Sequence, residues 1–267
     1  MNLMNNIILN INKPIVLIDS SYYVFYRYFA TFKWFKMQKR EINDDYNNFF
    51  EYYTKHIDAD IKKIQKKFKT DINNFIFCLD CPRSKIWRND IYTGYKITRQ
   101  QNQNFNQNAF NIFINYINSK NYNTASLDRL EADDIVYLIH ERIKNNNIII
   151  ITNDNDYLQL VSENTTILNM QFKNIKERTK CINGISNLYY KSLLGDKSDN
   201  IPKISTIINK DIALEKCELC EIDLINWLKE NNLYEKFLFN LKLISFEYIP
   251  SEYKKKFNTE YDFIIKE

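Results

Sequence analysis

Three apolar runs in this chain end in carboxylates or lead straight into them. Residues 14–19 (PIVLID) and 74–80 (NFIFCLD) close on Asp19 and Asp80, and residues 147–152 (NIIIIT) are followed at once by Asp154 and Asp156. Runs of this length, β-branched and separated by helix-like stretches, predict parallel strands buried on both faces by helices. A further strand is predicted over 165–170. Ligands in open α/β sheets bind beyond the carboxyl ends of the strands, so these four aspartates are predicted to converge.

Residues 130–144 (LEADDIVYLIHERIK) have the period of an amphipathic helix, with Glu131, Asp133 and Asp134 at its start, where the helix dipole favours them. From residue 183 onward the pattern changes to short helical pieces, 186–194, 211–217 and 222–229, without a convincing strand. The expected organisation is an α/β domain over 1–182 followed by a smaller helical region over 183–267. No internal repeat is evident, and the Asn/Gln-rich stretch 100–108 is expected to be a mobile segment.

With Asp196 and Asp199, nine carboxylates fall in five short motifs. A single aspartate at a strand end commonly does no more than cap the next helix. Nine brought together would repel one another and raise each other's pKa, which divalent cations would relieve. A donor set of Asp and Glu without His is typical of Mg²⁺ or Mn²⁺. Two such ions could clamp a phosphodiester, one activating water and the other stabilising the leaving oxygen. No Ser/His/Asp or Cys/His constellation, phosphate loop or dinucleotide fingerprint competes with this reading.

Bulk properties add less. The net charge of +4 is compatible with a nucleic-acid partner but does not argue for one. No secretion signal or membrane-length apolar run is seen, so an intracellular protein of the cytoplasm or nucleus, with no membrane partner, is expected. Cys78 and Cys81 form one C-x-x-C and Cys217 and Cys220 another, with Cys181 left over. Their separation favours buried reduced thiols over structural zinc.

Residues 87–99 (WRNDIYTGYKITR) interleave Arg88, Lys96 and Arg99 with Trp87, Tyr92 and Tyr95, a pattern that suits single-stranded nucleic acid. A solvated helix face packed by tyrosines would explain it equally. The cluster Lys62, Lys63, Lys66, Lys67 and Lys69 is read as a solvated face.

With those residues in view the chain resembles the 5′→3′ exonuclease and flap endonuclease family. The matching motifs are VLIDSSYY, FCLD, WRNDIYTGYKITR, LEADDI, ITNDNDYLQLV and LLGDKSDNIP, in that order along residues 16–202. The run at 21–30 is similar to versions in large DNA viruses. The resemblance implies a PIN-like three-layer nuclease domain with a mostly parallel central sheet, followed by a helix-three-turn-helix module that grips duplex DNA. It implies a first metal site of Asp19, Asp80, Glu131, Asp133 and Asp134, and a second of Asp154, Asp156, Asp196 and Asp199. Arg88 and Lys96 would approach the scissile phosphate, with Lys96 as electrostatic stabiliser, while Tyr95 stacks on a terminal base and Arg99 and Tyr92 contact DNA. A helical arch over about 84–120, with residues 100–118 as its span, would admit a 5′ single strand.

Two departures are visible. The family's glycine-rich hairpin after the last aspartate pair carries Lys203, Thr206 and Ile208 here, which counts against its potassium site and implies that duplex gripping either relies on Lys203 and Lys210 or is weaker. The arginine expected seven places after Asp19 is Tyr26, with Arg27 one place later, so either the helix register is shifted or Arg27 remakes the contact to DNA phosphate. The expected activity is that of a monomeric Mg²⁺-dependent 5′ nuclease, with Mn²⁺ able to substitute and two ions per site. Its expected substrate is DNA with a 5′ flap or 5′ single-stranded end. A catalytically weak junction-binding protein and a PIN-type ribonuclease are the alternatives.

Overall fold

The computed structural model describes residues 4–40, 45–99 and 104–266. Along the chain, β1 (Asn5–Asn10) and β2 (Ile15–Asp19) lead into helices α1 (Ser20–Met37) and α2 (Tyr46–Phe68). Strand β3 (Phe75–Cys78), helix α3 (Asn108–Ser119), β4 (Thr124–Ala125), helix α4 (Ala132–Ile143), β5 (Ile148–Ile151) and β6 (Thr165–Leu168) follow. The remainder holds α5 (Gly184–Leu194), α6 (Lys210–Lys216), α7 (Glu221–Glu230), α8 (Tyr234–Ile244), α9 (Ser251–Glu260) and β7 (Tyr261–Lys266). Among the described residues no helix is long and apolar enough to cross a membrane.

Five strands form one parallel sheet in the order β4-β3-β2-β5-β6, the α/β arrangement expected from the apolar runs. Alternation along each strand divides the core. Ile15, Leu17, Ile76, Ile148 and Ile150 pack on the side of α4, while Val16, Ile18, Phe77, Ile149 and Ile151 pack against α1, α2 and α3. The sheet is therefore covered on both faces, and its carboxyl edge is where Asp19 ends β2 and Asp80, Thr152 and Asp154 leave β3 and β5.

Four expectations need correction. The C-terminal region is not free of strands: β7 pairs in parallel with β1 in a separate two-stranded sheet. Phe246, Ile249, Phe257 and Tyr261 then pack into the α4 side of the core, so the chain returns to the α/β domain after its helical excursion. Helix α3 is also not a free arch span, because Ala109, Phe113 and Ile117 are buried against α1 and α2. Of the stretch expected to be mobile, residues 100–103 lie outside the described residues, and Phe105 is buried against Phe25 and Tyr28. Finally, Arg27 does not reach the carboxyl edge; it is buried in an ion pair with Asp60 of α2, Nε to Oδ2 3.0 Å.

Candidate active site

A cleft of about 1220 Å³ opens over the carboxyl edge of the sheet, between the α/β domain and α5–α6. Asp19, Asp80, Glu131, Asp133, Asp154 and Asp196 line it. Each is held by its local structure. Asp19 caps α1, accepting the Tyr22 N–H at 3.0 Å, and also accepts the Thr152 hydroxyl at 2.8 Å. Asp80 accepts the Ala132 N–H at 2.8 Å and the Ser21 hydroxyl. Asp154 caps the turn at Asn155–Leu160 through the Asp156 N–H at 2.9 Å. The capping reading and the functional one are compatible, since capping one donor leaves carboxylate lone pairs free.

Glu131 and Asp134 divide the start of α4 between them in a reciprocal capping box. Asp134 is the exception among the predicted metal ligands. It is fully buried, and its oxygens accept Trp87 Nε1 at 2.9 Å, both terminal nitrogens of Arg88 at 2.8 Å each, and the Glu131 N–H at 3.1 Å. So engaged, it orients Arg88 and the helix start, while one of its oxygens still lies within 4.8 Å of an oxygen each from Glu131 and Asp133.

Arg88 is corrected with it. Its guanidinium is 1% exposed and directs its donors to Asp134, Glu131 (3.0 Å) and the Leu243 carbonyl (2.8 Å), behind the cleft wall. This clamp joins the start of α4 to the end of α8. Tyr95 is likewise buried, its hydroxyl within 3.1 Å of Glu131 and 3.2 Å of Asp199, and offers no face to a base. Tyr92 packs edge-on against Phe239, and its hydroxyl accepts from Asn200.

Lys96 does face the cleft. Its backbone is in the left-handed region at φ 55°, pinned by its N–H to the Asp199 carbonyl at 2.8 Å. That conformation costs roughly 1 kcal/mol for a side-chain-bearing residue and turns the ammonium inward. It bonds Glu131 and lies 3.7 Å from Asp199, bridging the two carboxylate groups. Arg99 pairs with Asp199 from the rim.

The second group forms around a turn that requires glycine. Gly195 has φ 71°, and a Cβ there would lie 2.4 Å from the Ile201 carbonyl oxygen. The turn sets Asp196 and Asp199 beside Asp156, one oxygen of each within 4.8 Å of the others. Lys191 of α5 enters this group, bonded to Asp156 and 2.7 Å from Asp196. Sequence reasoning missed Lys191, which belongs to no spacing pattern, and also missed the rim cations Arg83, Arg178, Lys180 and Lys197. Lys210 lines the cleft, whereas Lys203 lines a neighbouring groove beside Pro202. Ile208, at one of the expected glycine positions, is fully buried in the helical core, so a side chain is accommodated there.

Electrostatics separate the carboxylates by their partners. Burial, then Asp80, pushes Asp19 up to about 6. Burial and Glu131 raise Asp80, and burial and Asp134 raise Asp133. Burial would raise Glu131 too, but Lys96 and Arg88 hold it down at about 2. In the second group burial, with Asp154 adding to it, takes Asp156 up to about 7 in spite of Lys191, while Lys191 keeps Asp196 at about 2 against burial. Oxygen donors with this residual repulsion fit hard divalent cations.

Residues 14–185 match the family described as 5′-3′ exonuclease, N-terminal resolvase-like domain. The chain belongs to this family. By membership it is a 5′ nuclease acting on phosphodiesters. It is 28% identical over 205 residues to a 5′-3′ exonuclease of Buchnera aphidicola subsp. Schizaphis graminum, covering 73% of this chain and 67% of that one. It is 27% identical over 212 residues to a 5′-3′ exonuclease of Mycoplasmopsis pulmonis, covering 74% and 64%. The chain thus spans about two thirds of the length of these relatives. In structure it is similar to the bacteriophage T5 D15 flap endonuclease in complex with DNA and metal ions, with a TM-score of 0.65 at 16% identity over 92% of this chain and 96% of that one. The PIN-like α/β fold is shared.

Proposed function

We propose that the protein hydrolyses DNA phosphodiesters at the junction of a 5′ flap or at a 5′ single-stranded end, as a monomer. Mg²⁺ is the working ion, Mn²⁺ can substitute, and two ions act per site. The observation that carries this reading is the pair of carboxylate groups in one cleft. Asp19, Asp80, Glu131 and Asp133 would hold one ion, and Asp154, Asp156, Asp196 and Asp199 the other. The similar T5 protein was crystallised with DNA and metal ions, which supports a metal-dependent reading of the cleft.

Bound divalent ions would supply the positive charge that polarises a phosphate and activates water. The remaining work falls to the chain itself. Glu131 is kept ionised by Lys96 and Arg88. Lys96, buried at the junction of the two groups, is placed to stabilise charge on a phosphate oxygen. Arg178, Lys180, Lys197 and Lys210 give the cleft a cationic rim for strand phosphates. Aromatic faces come from Phe25 and Phe110 on the cleft wall instead of Tyr95.

The test is a gel assay comparing labelled 5′-flap, pseudo-Y and single-stranded DNA. Cleavage of the branched substrates in Mg²⁺ or Mn²⁺, abolished by EDTA, is expected. Intact substrates in the presence of either metal would overturn the proposal.

A further inference from the structure

The two C-x-x-C pairs of the sequence do not come together. Cys78 lies in β3 with its thiol turned to the Ile76 carbonyl, and Cys81 borders the carboxylate cleft. Cys217 meets the leftover thiol, Cys181, inside the helical region, where both are buried. Glu218 completes the group, with the two sulfurs and a carboxylate oxygen all within 4.8 Å of one another. That carboxylate is fixed in place: one oxygen accepts the Ile182 N–H at 3.1 Å and the other accepts the Ser186 hydroxyl at 3.1 Å.

Apolar packing by itself accounts for two buried thiols. The carboxylate that closes the triangle from a third direction is polar and pre-oriented by the Ile182 N–H and the Ser186 hydroxyl, with Oε1 3.8 Å from the Cys217 sulfur, whose thiol also donates to the Leu214 carbonyl at 3.2 Å. The groups come from the segment before α5, the C-terminal end of α6 and the turn into α7. Two soft sulfurs and one oxygen match the preference of Zn²⁺ and mismatch that of Mg²⁺. We propose that Cys181, Cys217 and Glu218 form a binding site for one thiophilic divalent cation of the Zn²⁺ class, distinct from the carboxylate groups of the cleft.

Cys181 also lines the cleft, so water would have access to a bound ion from that side as a further ligand. Burial and the neighbouring Cys181 raise the Cys217 thiol, so loading releases thiol protons to solvent as both sulfurs become thiolate ligands. The ion would tie residues 178–181 on one wall of the cleft to α6, whose Lys210 and Leu214 line another. It would brace the cleft mechanically without entering the hydrolytic step.

The experiment uses the full chain, stripped of metal by a chelator and kept in a phosphine reductant, titrated with Co²⁺. Sulfur-to-cobalt charge-transfer absorption arises only from thiolate ligation, so ions held by the cleft carboxylates alone are silent, and Cys81→Ser, which is expected to keep the band, controls for the thiol that borders the cleft. The expected result is a band saturating at one Co²⁺ per chain, bleached by Zn²⁺, with a rise in melting midpoint on Zn²⁺ addition. Cys181→Ser and Cys217→Ser each lose the band, Glu218→Gln weakens Co²⁺ binding roughly tenfold or more, and Cys220→Ser and Asp80→Asn keep it. If Cys217→Ser does not fold, Cys181→Ser and Glu218→Gln decide. A wild-type protein without the band, or a band that survives Cys181→Ser, overturns the proposal. An intact mass lower by two hydrogens, marking a Cys181–Cys217 disulfide under these conditions, does so too.

Discussion

The Lys191 ammonium lies 2.7 Å from the Asp196 carboxylate and is also bonded to Asp156, so a side-chain cation sits inside the second group of predicted metal ligands. It neutralises like charges that would otherwise repel. Replacing it with a neutral side chain of similar length, Lys191→Met, leaves those charges uncompensated. Breaking a buried pair costs about 3–5 kcal/mol, which in a chain of this size lowers the melting midpoint by on the order of 10 °C. The expected outcome is that loss in EDTA, largely recovered by Mn²⁺. Counting of bound Mn²⁺ by spin resonance should also show tighter binding than in wild type, because the ammonium no longer competes.

Arg88 and Lys96 are eight residues apart in one motif, yet they have different work to do. Arg88→Ala removes the clamp on Glu131 and Asp134 and strands Asp134 in the core. It is expected to destabilise the fold by about 3–5 kcal/mol, seen as a lower denaturation midpoint. Lys96→Met also strands a buried carboxylate, Glu131, so it too is expected to lower the denaturation midpoint, and where the protein remains folded it lowers single-turnover cleavage by roughly 100- to 1000-fold. If Arg88→Ala is as stable as wild type, the buried clamp is misassigned.

Much of this site was legible in the sequence, and the reason is physical. Apolar runs ending in Asp19 and Asp80 announce strand ends, and strand ends of a parallel sheet share one edge. Spacing does not reveal which way a side chain turns once the helix start is built, so Asp134 and Arg88 read as site residues although they satisfy each other in the core. Lys191 falls within a predicted helix, but nothing local says that its helix docks beside Asp156. The pairing of β1 with β7 joins opposite ends of the chain, a contact invisible to local pattern.

Metal-free stability should depend on pH through Asp19, whose carboxyl titrates near 6 against an ordinary 3.8. Between those values the folded state binds more protons than the unfolded one, so stability falls as pH rises through that window. The loss attributable to this group is about 3 kcal/mol. Glu131 and Asp196, held near 2, act in the opposite sense, but their contribution is lost only as pH falls toward 2, outside the window. Melting midpoints in EDTA should therefore drop from about pH 5 to about pH 7, through Asp19 up to about 6 and through Asp156, which burial takes up to about 7, beyond it. Saturating Mg²⁺, which favours the ionised carboxylates, should flatten the drop.

Phe25 is exposed on the cleft wall, its ring 5.6 Å from that of Phe110. Phe25→Ala is expected to raise KM for a 5′-flap substrate, since stacking on one base is worth about 1–3 kcal/mol, while leaving kcat within a few fold. An unchanged KM would remove the aromatic wall from the DNA path.

The most direct test of a cleft that works through two carboxylate-bound ions is the Mg²⁺ dependence of single-turnover 5′-flap cleavage. The predicted rate rises more steeply than first order at low Mg²⁺, and Asp80→Asn in one group and Asp196→Asn in the other each lower it by orders of magnitude. Cleavage that persists in EDTA, or that is untouched by Asp80→Asn, would contradict it.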